Sequence, residues 1–257
     1  MQEMRIQKYL SEMGVMSRRA AETAVASGRV EINGVKAVAG QKVIPETDEI
    51  LVNGIPVSNK PENTKKIYLM MYKPAGVVTT MSDEHGRLCI GDILRNQEFS
   101  ESLPLSSSPS ESLGRVYPVG RLDMYSEGLL ILTNDGETAN KLMHPKHAVS
   151  KIYHAAVKGE VKRDVIKKLE EPIAIDGRMT TAAKVNIIDT PEKKGVTKLK
   201  IEIFEGRNRQ IRRMCENCGL TILKLKRVRV GKLNIGLLKP GEFKHLDDNE
   251  INYLKNI

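Results

Sequence analysis

One short run of this 257-residue chain gathers the residue types that nucleophilic or acid–base chemistry needs. In Gly120-Arg121-Leu122-Asp123-Met124-Tyr125-Ser126-Glu127-Gly128 a guanidinium and a carboxylate stand two residues apart in a Gly-flanked loop. The apolar run Leu129-Leu130-Ile131-Leu132 follows at once and reads as a buried strand, closed by the turn signal Asn134-Asp135-Gly136. A carboxylate on a loop against the edge of a rigid strand is held where it can act as nucleophile or base. The same Asp would also suit a turn that only joins two elements, because its side chain satisfies turn backbone so readily.

A second constellation is cationic. Wound at about 100° per residue, Glu205-Gly206-Arg207-Asn208-Arg209-Gln210-Ile211-Arg212-Arg213-Met214-Cys215-Glu216-Asn217-Cys218-Gly219 sorts into two faces. Arg209, Arg212, Arg213 and Glu216 share one; Ile211, Met214, Cys215 and Cys218 share the other. The spacing predicts a helix docked by its apolar stripe and presenting arginines outward. Three like charges on one face repel unless an anion neutralises them, and an RNA backbone or an active-site carboxylate would serve. A plain amphipathic surface helix is the alternative, although such helices usually pair Glu with Arg.

The charge balance points the same way. The chain carries a net charge of +9, which favours a polyanionic partner. Residues 200–232 hold 10 Lys+Arg against 3 Asp+Glu, whereas residues 1–60 hold 8 against 7. A single-sign cluster is the footprint of phosphate contacts, or else a solvated surface.

Other chemistries lack their signatures. There is no G-x-x-x-x-G-K-[ST] phosphate loop, no G-x-G-x-x-G, no G-x-S-x-G and no H-E-x-x-H. Cys215 and Cys218 form a single C-x-x-C, where a structural zinc needs four ligands; both fall on the apolar stripe and read as core. No metal and no cofactor is therefore expected. No apolar run approaches the ~18 to 20 residues of a membrane helix. With three Cys and no apolar leader at Met1–Arg5, the chain is expected in the reducing cytoplasm, away from membranes.

The elements that must position these residues fall into two groups. Ile6, Leu10 and Met13 recur at helical spacing up to Gly14, and Ser17 caps a second helix carrying Ala20, Ala21, Ala24 and Val25 up to Gly28. Val30 and Ile32 alternate up to Asn33-Gly34, and Ile50 and Val52 up to Asn53-Gly54, two hairpin signals. Two helices followed by small strands place Arg18, Arg19 and Arg29 near a helix-to-strand junction. Residues 59–66 are polar and read as a linker after a first domain of 1–58. From residue 67 to 257, strands are expected at 68–72, 77–80, 152–157, 197–204 and 220–230, with helices at 137–143 and 160–170. The Ser-rich stretch 96–114 is expected to be a flexible loop. The fold class is α+β: a small N-terminal domain joined to one with a mixed, largely antiparallel sheet flanked by helices.

Ser17-Arg18-Arg19-Ala20-Ala21-Glu22 with Gly28-Arg29-Val30-Glu31-Ile32-Asn33-Gly34 resembles the small RNA-binding domain first named from ribosomal small-subunit protein four. The Asp123 run resembles the catalytic-aspartate motif of ribosomal RNA pseudouridine synthases of the RsuA/RluB type. Two further motifs follow in that family's order: Lys151-Ile152-Tyr153, and the Arg-x-x-Gln-Ile-Arg pattern of Arg207 to Arg212. The resemblance implies that Asp123 is catalytic, that Tyr153 stacks on the target base, and that Arg212 pairs with Asp123. A guanidinium beside a carboxylate in a dry pocket favours its charged form. Arg121, Arg209, Arg213, Arg18, Arg19 and Arg29 are the expected RNA contacts. The implied reaction isomerises a uridine to pseudouridine without cofactor, by a monomer. The Arg207–Arg213 string is closer to the branch acting on large-subunit ribosomal RNA. A non-catalytic RNA-binding ribosome-assembly protein would use the same basic surfaces, and a synthase acting on tRNA the same motifs.

Overall fold

The computed structural model describes residues 3–57, 65–96, 116–189 and 195–257. Contacts divide the chain into two compact units, Met1–Lys66 and Ile67–Ile257.

In the first unit, helices Ile6–Glu12 and Arg18–Ala26 pack Ile6, Tyr9, Leu10, Ala21, Ala24 and Val25 against Val30, Ile32, Ile50 and Val52. The Ala20 N–H donates to Ser17 Oγ at 3.1 Å, which satisfies one of the donors a helix start leaves open. A four-stranded sheet runs in the order Val35–Lys36, Val30–Ile32, Ile50–Val52, Ile55–Pro56. Both Asn-Gly pairs turn their hairpins with positive φ at each residue, 52° and 77° at Asn33-Gly34 and 52° and 76° at Asn53-Gly54.

The second unit is built on a nine-stranded sheet. Its main path runs Lys184–Asp189, Val196–Ile203, Lys151–Lys158, Ile222–Val230, Glu127–Thr133, Tyr68–Lys73, Phe243–His245. Leu233–Asn234 and Tyr117–Val119 attach at its sides. Every pairing is antiparallel except that of Ile222–Val230 with Glu127–Thr133, so the sheet is mixed and largely antiparallel, as the sequence indicates. Leu129, Leu130, Ile131 and Leu132 are all buried, each worth roughly 2 kcal/mol of transfer free energy. Leu129 and Ile131 join one hydrophobic cluster and Leu130 and Leu132 another, so this strand is covered on both faces.

Several expected elements differ. Val77–Thr80 does not resume as a strand; only an isolated bridge pairs Val78 with Cys89, because the backbone turns here, the Thr80 N–H donating to the Val78 carbonyl at 3.0 Å. The helix expected from residue 160 begins at Arg163. Among the elements additional to those the sequence predicts are helices Ile90–Arg95 and Asp248–Lys255, and edge strands Lys184–Asp189 and Phe243–His245. The Ser-rich stretch and the linker lie outside the described residues, apart from residues 96, 65 and 66. No helix among the described residues is long and apolar enough to cross a membrane.

Candidate active site

The loop that carries Asp123 is fixed by donors from the segment after the first central strand. Thr79 Oγ1 donates to the Leu122 carbonyl at 2.7 Å, and the Gly76 N–H donates to the Met124 carbonyl at 2.8 Å. Lys73, fully buried, donates to the carbonyls of Pro74 (2.8 Å), Val77 (2.7 Å) and Met124 (3.2 Å). Burial pushes its ammonium down to about 8, against the pull of the Asp123 and Glu127 charges. Leu122 points into the core beside Ile211 and Met214, so backbone and neighbour together hold Asp123 in place. Behind the loop, Gly128 has φ +108°, and a Cβ there would lie 2.2 Å from the Arg227 carbonyl oxygen. Only glycine lets the single parallel pairing of the sheet, Arg227 against Gly128, close at this point.

Arg212 arrives from helix Gln210–Asn217, which is docked by Ile211, Met214 and Cys215 as its apolar stripe requires. Its Nη2 donates to the Tyr125 carbonyl at 3.2 Å and lies 3.5 Å from Ser126 Oγ. Its Nε stands 3.9 Å from Asp123 Oδ2, buried and without a hydrogen bond. Tyr153 comes from strand Lys151–Lys158, where a bulge between Ile152 and Tyr153 shifts the pairing with Ile222–Val230.

Asp123, Arg212, Tyr153, Arg121 and Arg209 all line one cleft of about 250 Å³ in the second unit. Arg209 is not in the helix as expected: it is the N-cap residue, in left-handed conformation at φ 51°, because the chain turns before the helix begins at Gln210. Arg213 does not reach the cleft. Its Nη1 pairs at 3.0 Å with Asp176, a carboxylate far from it in sequence. Arg18, Arg19 and Arg29 are exposed on the first unit, Arg29 donating to Ser27 Oγ at 2.8 Å.

Three further cleft residues carry charge: Arg227 lies outside the sequence motifs, and Lys151 and Arg207 lie within them with no role assigned from the sequence. Arg227 is buried, donates from Nε to the Leu129 carbonyl at 2.7 Å, and brings Nη1 within 3.5 Å of the Tyr153 phenol oxygen. A signal for it is present: alternation along 222–230 puts Arg227 on the same face as the buried Leu225. Lys151 donates to the Val149 carbonyl at 2.8 Å, and burial, then the Arg227 charge, push its ammonium down to about 8. Arg207 clamps the neighbouring hairpin, donating to the carbonyls of Ile175, Arg178 and Met179 and pairing with Glu205. The cleft wall thus carries Arg121, Lys151, Arg207, Arg209, Arg212 and Arg227, with Asp123 the only carboxylate among its lining residues. Such a wall can receive an anionic, phosphate-bearing ligand beside a single acid.

Comparison with known proteins identifies the family. Residues 67–217 match the family model of RNA pseudouridylate synthases, and residues 4–50 match the S4 domain. The chain is 39% identical, over 98% of its length and 95% of the relative's, to a ribosomal large subunit pseudouridine synthase B from Bacillus subtilis. It is 36% identical over 97% of its length to a protein of the same name from Pseudomonas aeruginosa, spanning 61% of that longer chain. A crystal structure of a pseudouridylate synthase superposes with a TM-score of 0.65 at 26% identity, covering 98% of this chain and 99% of that one. The chain belongs to the RNA pseudouridylate synthase family, with an S4 domain at its N-terminal side.

Proposed function

We propose that the protein isomerises one uridine of large-subunit ribosomal RNA to pseudouridine, with Asp123 as the catalytic acid residue. The observation that carries this reading is the convergence of Asp123, Tyr153 and Arg212, distant in sequence, on one cation-lined cleft. The large-subunit assignment draws on the relatives from Bacillus subtilis and Pseudomonas aeruginosa.

The reaction breaks the bond between ribose and the uracil nitrogen and rejoins the base through carbon. Bond cleavage gives the anomeric carbon oxocarbenium character, which the Asp123 carboxylate is placed to stabilise, attack, or relieve by taking a proton from the neighbouring ribose carbon. The uridine must leave its stack to reach the acid. Tyr153 then holds the extruded base, a contact worth about 1–3 kcal/mol. Arg212 holds the carboxylate, while Arg121 and Arg209 at the cleft take the RNA backbone; Arg213, paired with Asp176 outside the cleft, would meet RNA only beyond its rim. Arg18, Arg19 and Arg29 supply a separate RNA contact on the S4 domain. In this reading the enzyme acts as a monomer on ribosomal RNA in the cytoplasm.

Asp123→Asn tests this. It should abolish pseudouridine formation in ribosomal RNA while RNA affinity stays within a few-fold of wild type. Residual turnover in the variant, or a wild type that leaves no pseudouridine in large-subunit RNA, defeats the proposal.

A further inference from the structure

The sheet that buries Tyr153 and Arg227 on its cleft side leaves its other side uncovered at three adjacent strands. Side chains alternate across a strand, so the residues next to the cleft wall in sequence face away from it. The register stacks them in rows. Lys198, Ala156 and Lys224 form one row, and Lys200, His154 and Lys226 the next. His154, Lys198 and Lys224 are exposed. Rows two residues apart are about 6.8 Å apart and neighbouring strands about 4.8 Å apart, so the backbones of the four lysines stand within about 12 Å of each other.

Compensation within the protein is incomplete. Lys198 pairs with Asp189 at 2.6 Å and Lys224 with Glu127 at 3.0 Å. Lys226 rests over the Tyr72 ring at 4.5 Å, and Lys200 has no partner among the described residues. On these three strands neither row contains a carboxylate; Asp189 continues the first row on one flank and Glu127 the second on the other, which leaves four lysines against two acids. Like charges set across a sheet destabilise it unless an anion sits between them. The His154 imidazole registers this field, its basicity lowered by burial and then by Lys226 and Lys200.

We propose that this lysine face is a second RNA contact, which takes the phosphodiester backbone of a helical segment of the structured substrate on the side of the sheet opposite the cleft. The proposal rests on the chain acting as a synthase on structured RNA. A protein partner would need an apolar centre, and the two rows offer only Ala156. A phosphate backbone needs the spaced ammonium groups that are present and no apolar anchor.

The test compares Lys198→Gln, Lys200→Gln and Lys226→Gln combined in one variant with a control in which Lys162, Lys167 and Lys168, exposed on and beside helix Arg163–Glu170, become Gln. Both lose three charges. Affinity is measured between 50 and 200 mM KCl for unmodified large-subunit ribosomal RNA transcribed in vitro, and turnover is measured on that RNA and on a short hairpin cut around the modified uridine. The sheet-face variant should bind the long RNA at least ~10-fold more weakly. Its log–log salt slope should fall by about 0.7–0.9 for each phosphate it no longer neutralises. Its kcat/KM on the hairpin should stay within two-fold of wild type, and the control should match wild type on both RNAs. An unchanged affinity and slope, or an equal loss in the control, overturns the proposal; in the latter case only bulk charge is felt. Single Lys200→Gln provides a second reading, a slope change equivalent to about one phosphate. If the wild type forms no pseudouridine in either RNA, the synthase reading fails on its own account, while the salt slopes still judge this face.

Discussion

Arg212 holds the loop of Asp123 by one nitrogen and faces the carboxylate with another. Nη2 donates to the Tyr125 carbonyl at 3.2 Å, while Nε, buried and without a hydrogen bond, stops 3.9 Å short of Asp123 Oδ2. The guanidinium is therefore a spacer as well as a charge: its fork fixes the loop and the direction from which the acid is approached. A shift of about 1 Å would bring Nε within hydrogen-bond reach of that oxygen.

Replacing Arg212 should cost chemistry more than binding. Arg212→Gln keeps a donor but no charge and is expected to lower the single-turnover rate at saturating RNA by about 10²-fold or more. Arg212→Lys keeps the charge but cannot reach both Tyr125 and Asp123, and should lie between Gln and wild type. Equal rates for the Lys variant and the wild type would show that the fork geometry does not matter.

Arg227 couples two strands that both feed the cleft. It holds the Leu129 carbonyl and donates toward the Tyr153 oxygen, which leaves the phenol hydrogen free to point into the cleft. If it acts through that phenol, Arg227→Lys and Tyr153→Phe should not be additive. The double variant is expected to be slower than Tyr153→Phe alone by much less than Arg227→Lys slows the wild type, a coupling of about 1–2 kcal/mol. Additivity within about 0.5 kcal/mol would reduce Arg227 to a structural clamp, a role that melting temperature alone would register.

What can be read in the sequence is what local chemistry decides. Ser17 at a helix start, Asn-Gly at two hairpins and the apolar stripe of Ile211, Met214 and Cys215 each specify their element within a few residues. The resemblance orders Asp123, Tyr153 and Arg212, and the fold brings them to one cleft. Long-range partners are not legible. Nothing near Arg213 announces Asp176, and nothing near Lys73 announces the Met124 carbonyl. The edge strand Lys184–Asp189 buries only Val185, and its polar–apolar alternation lasts just four residues, Lys184 to Ile187, before Ile188 breaks it, too short a signal to specify a strand. Two further signals are legible only in hindsight: the inward parity of Arg227, and the Asp247–Glu250 capping box that starts helix Asp248–Lys255.

The pH dependence of RNA binding should carry the mark of Lys151. Its ammonium lies in the cleft with its pKa depressed to about 8. It is charged below that value and loses its charge as the pH rises through it. A phosphate in the cleft favours the charged form and raises the pKa in the complex, so binding above pH 8 takes up a proton. Affinity should therefore fall as pH rises from about 8 toward 9, by no more than about tenfold per unit for one proton. Lys151→Arg, charged throughout, should remove this part of the slope. A slope identical in the two proteins would show that Lys151 does not face the bound backbone.

Two glycines flank the Asp123 loop and should respond differently to the same substitution. At Gly120, φ is +74° but a Cβ meets nothing within 4 Å, so Gly120→Ala faces only backbone strain of about 1–2 kcal/mol. At Gly128 the φ is +108° and the new Cβ would lie 2.2 Å from the Arg227 carbonyl oxygen and 2.8 Å from its nitrogen. Those atoms belong to the strand that pairs in parallel with Glu127–Thr133, so they cannot retreat without opening the sheet between Arg227 and Leu129. Gly128→Ala is expected to cost ~3 kcal/mol or more in urea unfolding and, in whatever fraction remains folded, to displace Arg227 and lower turnover. If it proves as mild as Gly120→Ala in stability and leaves activity intact, the close approach of the two strands is not what positions the acid.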